Sequence, residues 1–169
     1  MCPAVPLFRP NLLKHRITDL TAQELRAWGI QGLLLDVDNT LTTHDSQELS
    51  DAVKAWLDAM QAEGFSLMIV SNAKESRVQP FADRIGLAFE YRACKPLWFG
   101  FLRACRRLGL KKSQCVVIGD QLFTDLLGAK WAGIRCVQVM PIELEVGKPF
   151  MMFKRRLERI LMKDKGDLV

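Results

Sequence analysis

Short apolar runs of strand length recur along this chain, separated by amphipathic stretches of helical length, and no other feature limits the fold as much. The runs are Leu33–Val37, Ser66–Val70, Cys115–Ile118 and Ile134–Val139, with Phe89–Ala93 a shorter fifth. Between them, Ser50 is placed to cap a helix over residues 51–63 that carries Val53, Trp56, Leu57 and Met60 on one face and stops at Gly64. Helices are predicted likewise over 77–85, ending at Gly86, and over 125–132, ending at Gly133. Another is predicted over 97–108, where Pro96 suits the first turn and Gly109 the stop. Thr21 and Glu24 form a capping box for an earlier short helix reaching Trp28. Strand and helix alternating at these lengths predict an α/β domain with a mostly parallel central sheet. In such a sheet the ligand crevice lies beyond the carboxyl ends of the strands.

Four of those ends carry chemistry. The first predicted strand runs into Asp36-Val37-Asp38-Asn39-Thr40, and the second ends at Ser71-Asn72. The short third leads to Lys95-Pro96; the fourth ends in Gly119-Asp120, with Thr124-Asp125 opening the next helix. Singly, each is ordinary, since Asp-x-Asp, Ser-Asn and Gly-Asp are common in turns and a lone lysine is usually a surface charge. Their order changes the reading, because a parallel sheet delivers all four loops to one edge. Asp36, Asp38, Asp120 and Asp125 in one crevice repel one another unless a cation joins them. Mg2+, which takes carboxylate and carbonyl oxygens and keeps several waters, is the expected cofactor.

The segments DVDNT, SN, KP and GDQLFTD resemble the four motifs of the haloacid dehalogenase (HAD) superfamily of phosphatases. The wider stretches LLLDVDNTL, VSNAKESRV, ACKP, VIGDQLFTD and VMPIE are similar to the YqeG-like subgroup of its type IIIA members, over roughly residues 10–160. The resemblance implies a Rossmann-like three-layer sandwich that hydrolyses phosphomonoesters. It implies that Asp36 is the nucleophile forming an aspartyl-phosphate. Asp38 is then the acid that protonates the leaving alkoxide and the base that activates water. Lys95 neutralises developing charge, and Ser71, Asn72 and Thr40 bind the phosphoryl group. The implied metal ligands are the Asp36 carboxylate, the Asp38 main-chain carbonyl, Asp120 and, directly or through water, Asp125. Positioning and electrostatics do most of the work in such a site.

Members of this superfamily usually close the site with an inserted cap. Here 32 residues separate Asp38 from Ser71 and 23 separate Ser71 from Lys95, and the predicted elements use most of them. No large cap is therefore expected. An open site suits a phosphate presented on something large, and the subgroup's similarity to mitochondrial phosphatidylglycerophosphate phosphatases makes a lipid phosphate at an anionic membrane surface the leading partner. The net charge of +5 has its excess near the C-terminus, where Lys148, Lys154, Arg155, Arg156, Arg159, Lys163 and Lys165 cluster. A basic amphipathic helix is expected over residues 148–165, with Phe150, Phe153, Leu157, Ile160 and Leu161 opposite the charges. It either packs its apolar face on the sheet or turns its basic face to anionic lipid, at about 1 kcal/mol per cation.

Two other classes of function compete. A phosphoacceptor signalling domain of the receiver type uses similar groups, but its acceptor aspartate ends the third strand, where this chain has Lys95. A non-enzymatic binding module would use the basic tail, yet no aromatics interleave its charges, no nucleic-acid motif is present, and no nucleic acid is expected as a partner. The remaining composition fits a single domain over residues 1–169. No apolar run nears the ~18 residues of a membrane span, and the opening residues do not form a secretory leader. A cytoplasmic location is expected, with peripheral contact at the inner membrane face. Cys2, Cys94, Cys105, Cys115 and Cys136 are odd in number and lack a C-x-x-C pair, so they read as buried free thiols. Trp28, Trp56, Trp98 and Trp131 lie in helical segments and are expected in the core. Residues 12–16 read as a short helix docking on the fold or as a surface facing lipid, and His15 and His44 have no partner pattern.

Overall fold

The computed structural model describes residues 9–43, 46 and 48–142. The expected basic helix over 148–165 and His44 lie outside the described residues. Six strands, β1 (Leu12–Lys14), β2 (Gly32–Leu35), β3 (Ser66–Val70), β4 (Ala88–Glu90), β5 (Cys115–Gly119) and β6 (Arg135–Val139), form one sheet. Their order is β1-β6-β5-β2-β3-β4, and every neighbouring pair is parallel. The helices are α1 (Ala22–Ala27), α2 (Asp51–Ala62), α3 (Glu75–Ile85), α4 (Phe99–Arg107) and α5 (Leu127–Ala132).

The pleat of the strands separates two cores. Leu33, Leu35, Ile69, Val116 and Ile118 face one side, where Leu25 of α1, Trp56 and Met60 of α2, and Val78 and Phe81 of α3 cover them. Leu34, Met68, Val70 and Val117 face the other, against Phe101 and Ala104 of α4 and Ala129 and Ala132 of α5. Each fully buried side chain of this kind contributes about 1.5–3 kcal/mol, and the result is a helix–sheet–helix sandwich. The caps hold where expected: the Val53 amide donates to Ser50 Oγ at 3.3 Å, and Thr21 and Glu24 bond reciprocally. Among the described residues, the link from Asp38 to Ser71 carries α2 before β3, and that from Ser71 to Lys95 carries α3 and β4. Neither holds a cap domain, and no described helix is long and apolar enough to cross a membrane.

Four expectations are corrected. Residues 12–14 are an edge strand rather than a helix, paired with β6 in the register Leu12↔Val137 to Lys14↔Val139. The helix after Pro96 begins only at Phe99; Pro96, joined to Lys95 by a cis peptide bond, lies before it. The helix expected over 125–132 divides into a π-helical turn, Leu122–Leu126, and α5. Of the four tryptophans, Trp56 is buried and donates its Nε1 hydrogen to the Leu20 carbonyl at 2.8 Å, whereas Trp98 and Trp131 are about half exposed (49% and 51%). Trp98 precedes α4, and α4 and α5 turn Phe101, Ala104, Ala129 and Ala132 to the sheet instead.

Candidate active site

The sheet reverses its order of growth at β2, whose partners are β3 on one side and β5 on the other. Loops leaving β2 and β5 diverge there and open the crevice typical of such switch points. Asp36 continues β2 with its amide still donating to the Ile118 carbonyl of β5 at 2.9 Å. Beyond it the chain turns sharply. The amides of Leu41 and Thr42 both donate to the Val37 carbonyl (3.0 and 3.2 Å), and Asn39 adopts a left-handed φ of 61° that asparagine tolerates better than most residues. Asp120 follows β5 directly.

Asp125 reaches the same spot by a different route. The π-helical turn widens the backbone at the start of the last helix, and the Asp125 carboxylate folds back so that Oδ2 accepts from the Gln121 amide at 3.2 Å. This approach requires Gly119, because a Cβ there would lie 2.4 Å from Asp125 Cγ. Asp36, Asp120 and Asp125 are all buried, and each offers an oxygen within 4.8 Å of the others.

Lys95 enters from the loop after β4. Its Nζ donates to Asp36 Oδ1 at 2.6 Å and to Asp125 Oδ1 at 2.7 Å, with 4% of its side chain exposed. Burial alone lowers the pKa of such an ammonium, but Asp125 and then Asp36 outweigh it and hold Lys95 above its ordinary value. Burial raises the Asp36 carboxyl, with Lys95 opposing and Asp120 adding to the rise. Burial and the charge of Asp36 push Asp125 up to about 6 against the pull of Lys95. Fully ionised, the three buried carboxylates exceed the one ammonium by two negative charges. A small divalent cation with a preference for oxygen ligands fits that donor set and that charge.

The remaining expected residues are placed as follows. Ser71, buried at the end of β3, is anchored by its amide donating to the Glu90 carbonyl at 2.9 Å, and its Oγ accepts from the Ala73 amide at 3.1 Å. Asn72, expected on the phosphate, uses its side-chain amide on the main chain of Lys95. Its Nδ2 donates to the Lys95 carbonyl at 3.0 Å and its Oδ1 accepts from the Lys95 amide at 2.6 Å. Thr40 is buried, its hydroxyl has no hydrogen-bond partner among the described residues, and it lines a cleft of about 530 Å³ with His15, Arg16, Val53, Met140 and Ile142. Asp38 is paired with Arg77, whose Nη2 donates to Asp38 Oδ1 at 2.5 Å. The sequence reading did not single out Arg77. Its signal is a cation in the first turn of α3, where the helix dipole favours an acid.

Comparison with known proteins places this geometry. The profile of haloacid dehalogenase-like hydrolases matches residues 13–133. A probable phosphatase, YqeG of Bacillus subtilis, is 36% identical over 155 residues, which is 92% of this chain and 90% of that one. Phosphatidylglycerophosphate phosphatase 1 of Chlamydomonas reinhardtii is 26% identical over 161 residues, covering 88% of this chain and 59% of that protein. A solved structure of the cobalt-bound deoxy-D-mannose-octulosonate 8-phosphate phosphatase of Haemophilus influenzae superposes with a TM-score of 0.54, over 80% of this chain and 89% of that one, at 11% identity. That last likeness is one of fold alone. By its matching profile and its near full-length relative, the chain belongs to the haloacid dehalogenase-like hydrolases.

Proposed function

We propose that this protein is a Mg2+-dependent phosphatase that cleaves phosphomonoesters through an aspartyl-phosphate on Asp36. The observation that carries the proposal is the buried Lys95 ammonium bridging Asp36 and Asp125, with Asp120 completing a carboxylate cluster that is two negative charges in excess. The Asp36 and Asp120 carboxylates and the Asp38 main-chain carbonyl would hold the metal, with Asp125 supporting it. When bound, Mg2+ supplies charge neutralisation at the phosphoryl oxygens.

The chain's own residues divide the remaining work. Asp36 attacks phosphorus in line as the ester P–O bond breaks, and Asp38 gives its proton to the departing oxygen. Asp38 then takes a proton from water, which attacks phosphorus and releases phosphate from Asp36. Lys95 aims Asp36, opposes the rise in its pKa that burial causes, and stabilises charge that develops on the phosphoryl group. Ser71 and Thr40 supply buried hydroxyls, while Asn72 serves by fixing the Lys95 loop to the end of β3.

The substrate we infer is a lipid phosphomonoester at an anionic membrane surface, with phosphatidylglycerophosphate as the first candidate. Support comes from the lack of a cap among the described residues and from the 26% identical relative named for that activity. The cleft beside Thr40 adds to it, since the half-exposed Met140 and Ile142 form an apolar wall and Arg16 a basic rim. The test is Mg2+-dependent phosphate release from phosphatidylglycerophosphate in vesicles, run beside a soluble aryl phosphate and the Asp36→Asn variant. Fast release from the lipid, much slower release from the soluble ester and none from the variant supports the whole reading. Activity on the soluble ester alone keeps the chemistry and discards the lipid. Wild-type activity in Asp36→Asn overturns the mechanism.

A further inference from the structure

We propose that Arg77 is a positioning residue for proton transfer, acting through Asp38. The proposal rests on the acid–base role given to Asp38 above. Asp38 sits on a sharply turned loop, and its side chain is only partly enclosed, with 22% exposed. β2 ends at Leu35, so Asp38 lies beyond the strand. The guanidinium of Arg77 reaches its carboxylate from a different element. It projects from the first turn of α3, and its Nη2 meets Asp38 Oδ1 at 2.5 Å. A cation at that helical position works against the macrodipole by some tenths of a kcal/mol, so the pairing with Asp38 is what favours it there.

Val37, Asp38, Ser71 and Arg77 line one small pocket beside the cluster. Arg77 therefore stands between the end of β2 and the end of β3, next to the expected place of the phosphoryl group. An arginine hydrogen bond to one carboxylate oxygen restrains where the carboxylate points. The carboxyl group held in this way gives its proton to the ester oxygen as the P–O bond breaks, and takes one from water when the aspartyl-phosphate is cleaved. Asp36 and Lys95 do not depend on this contact, since they are held to each other and to Asp125.

Leaving-group dependence separates this role from the alternatives. Nitrophenolate departs without a proton, whereas the benzyl alkoxide needs one. With p-nitrophenyl, phenyl and benzyl phosphate as probes, Asp38→Asn is expected to lower kcat/KM for the benzyl ester by about 10²–10⁴ and for the nitrophenyl ester far less. Arg77→Gln should show the same ordering, with a loss at least about tenfold larger on the benzyl than on the nitrophenyl ester. It should add no more than about twofold in the Asp38→Asn background, because residues that act as a unit are not additive. Arg77→Lys keeps the charge without the fork and should fall between, with the same ordering, which preserves the test if Arg77→Gln folds poorly. Equal losses across the three esters, or a further full loss on top of Asp38→Asn, would show a phosphate contact or general support of the fold and overturn the proposal. If Asp38→Asn itself loses equally on all three, the assigned acid–base role fails, and the role of Arg77 with it.

Discussion

Replacing Lys95 with methionine keeps the length of the stem and removes the charge that joins Asp36 to Asp125. Breaking a buried ion pair from one side costs about 3–5 kcal/mol, because the abandoned carboxylate cannot be resolvated. Protonation sets a ceiling on that loss. Neutralising one aspartate with an unfolded pKa of about 3.9 costs about 5 kcal/mol at a pH of about 7.5, and about 2 kcal/mol at a pH of about 5.5. For a chain of this size each kcal/mol moves Tm by about 2–4 °C, so Lys95→Met in EDTA should melt about 6–20 °C below wild type near neutral pH. The deficit should shrink on acidification, to no more than about 2 kcal/mol at a pH of about 5.5, and also with saturating Mg2+, which binds the folded state and restores positive charge. Thermal melts in EDTA and in Mg2+ across that pH range measure this directly. The buried bridge between 2.6 and 2.7 Å contacts would be refuted as described by a variant melting within about 2 °C of wild type in EDTA, or by a deficit that ignores pH.

Two further outcomes follow from the same cluster. Gly119→Ala places a Cβ 2.4 Å from Asp125 Cγ, so the aspartate must move; a loss of about 1–3 kcal/mol and weaker Mg2+ binding by calorimetry are expected. In the metal-free protein, burial raises Asp36 and takes Asp125 to about 6. The folded state then binds more protons than the unfolded one, and stability falls as pH rises from about 4 to about 6, by about 3 kcal/mol for Asp125 alone. Mg2+ should flatten that slope. Glu24, held at about 2 chiefly by the Lys14 hydrogen bond, acts oppositely and in a lower window, its contribution being lost as pH falls from about 4.5 to about 2.

Much of this was legible in the chain. The four longer apolar runs all become strands of the central sheet, because each is long enough for burial to decide its state without help. Asp36 and Asp120 meet because strand ends in a parallel sheet share an edge, and Asp125 joins them through the turn that follows β5. What stayed hidden depends on distant partners. Leu12–Lys14 is too short to show a period and becomes a strand only beside β6. The π-helical turn, in which the Asp125 carboxylate folds back on the Gln121 amide, has no period that marks it in the sequence. Arg77 looked like one more helical cation until the fold set Asp38 opposite it. Asn72 lay in the expected loop, but its partner is the Lys95 main chain, 23 residues away.

The edge pairing of β1 with β6 also has a consequence for how the chain assembles. The Asn11 amide donates to the Cys136 carbonyl, and the Cys136 amide to the Asn11 side chain across a separation of 125 residues. During synthesis β1 leaves the ribosome first of the described strands, yet its docking site is the last of them to be made. Such non-local closure is slow, so Leu12 and Leu13 must wait in water while the other strands form their sheet. That interval is when an unpaired strand edge invites association with another chain. A full-length chain should close the edge itself, whereas one cut short before Arg135 should aggregate through it, as pulse-labelled translation products of increasing length would show.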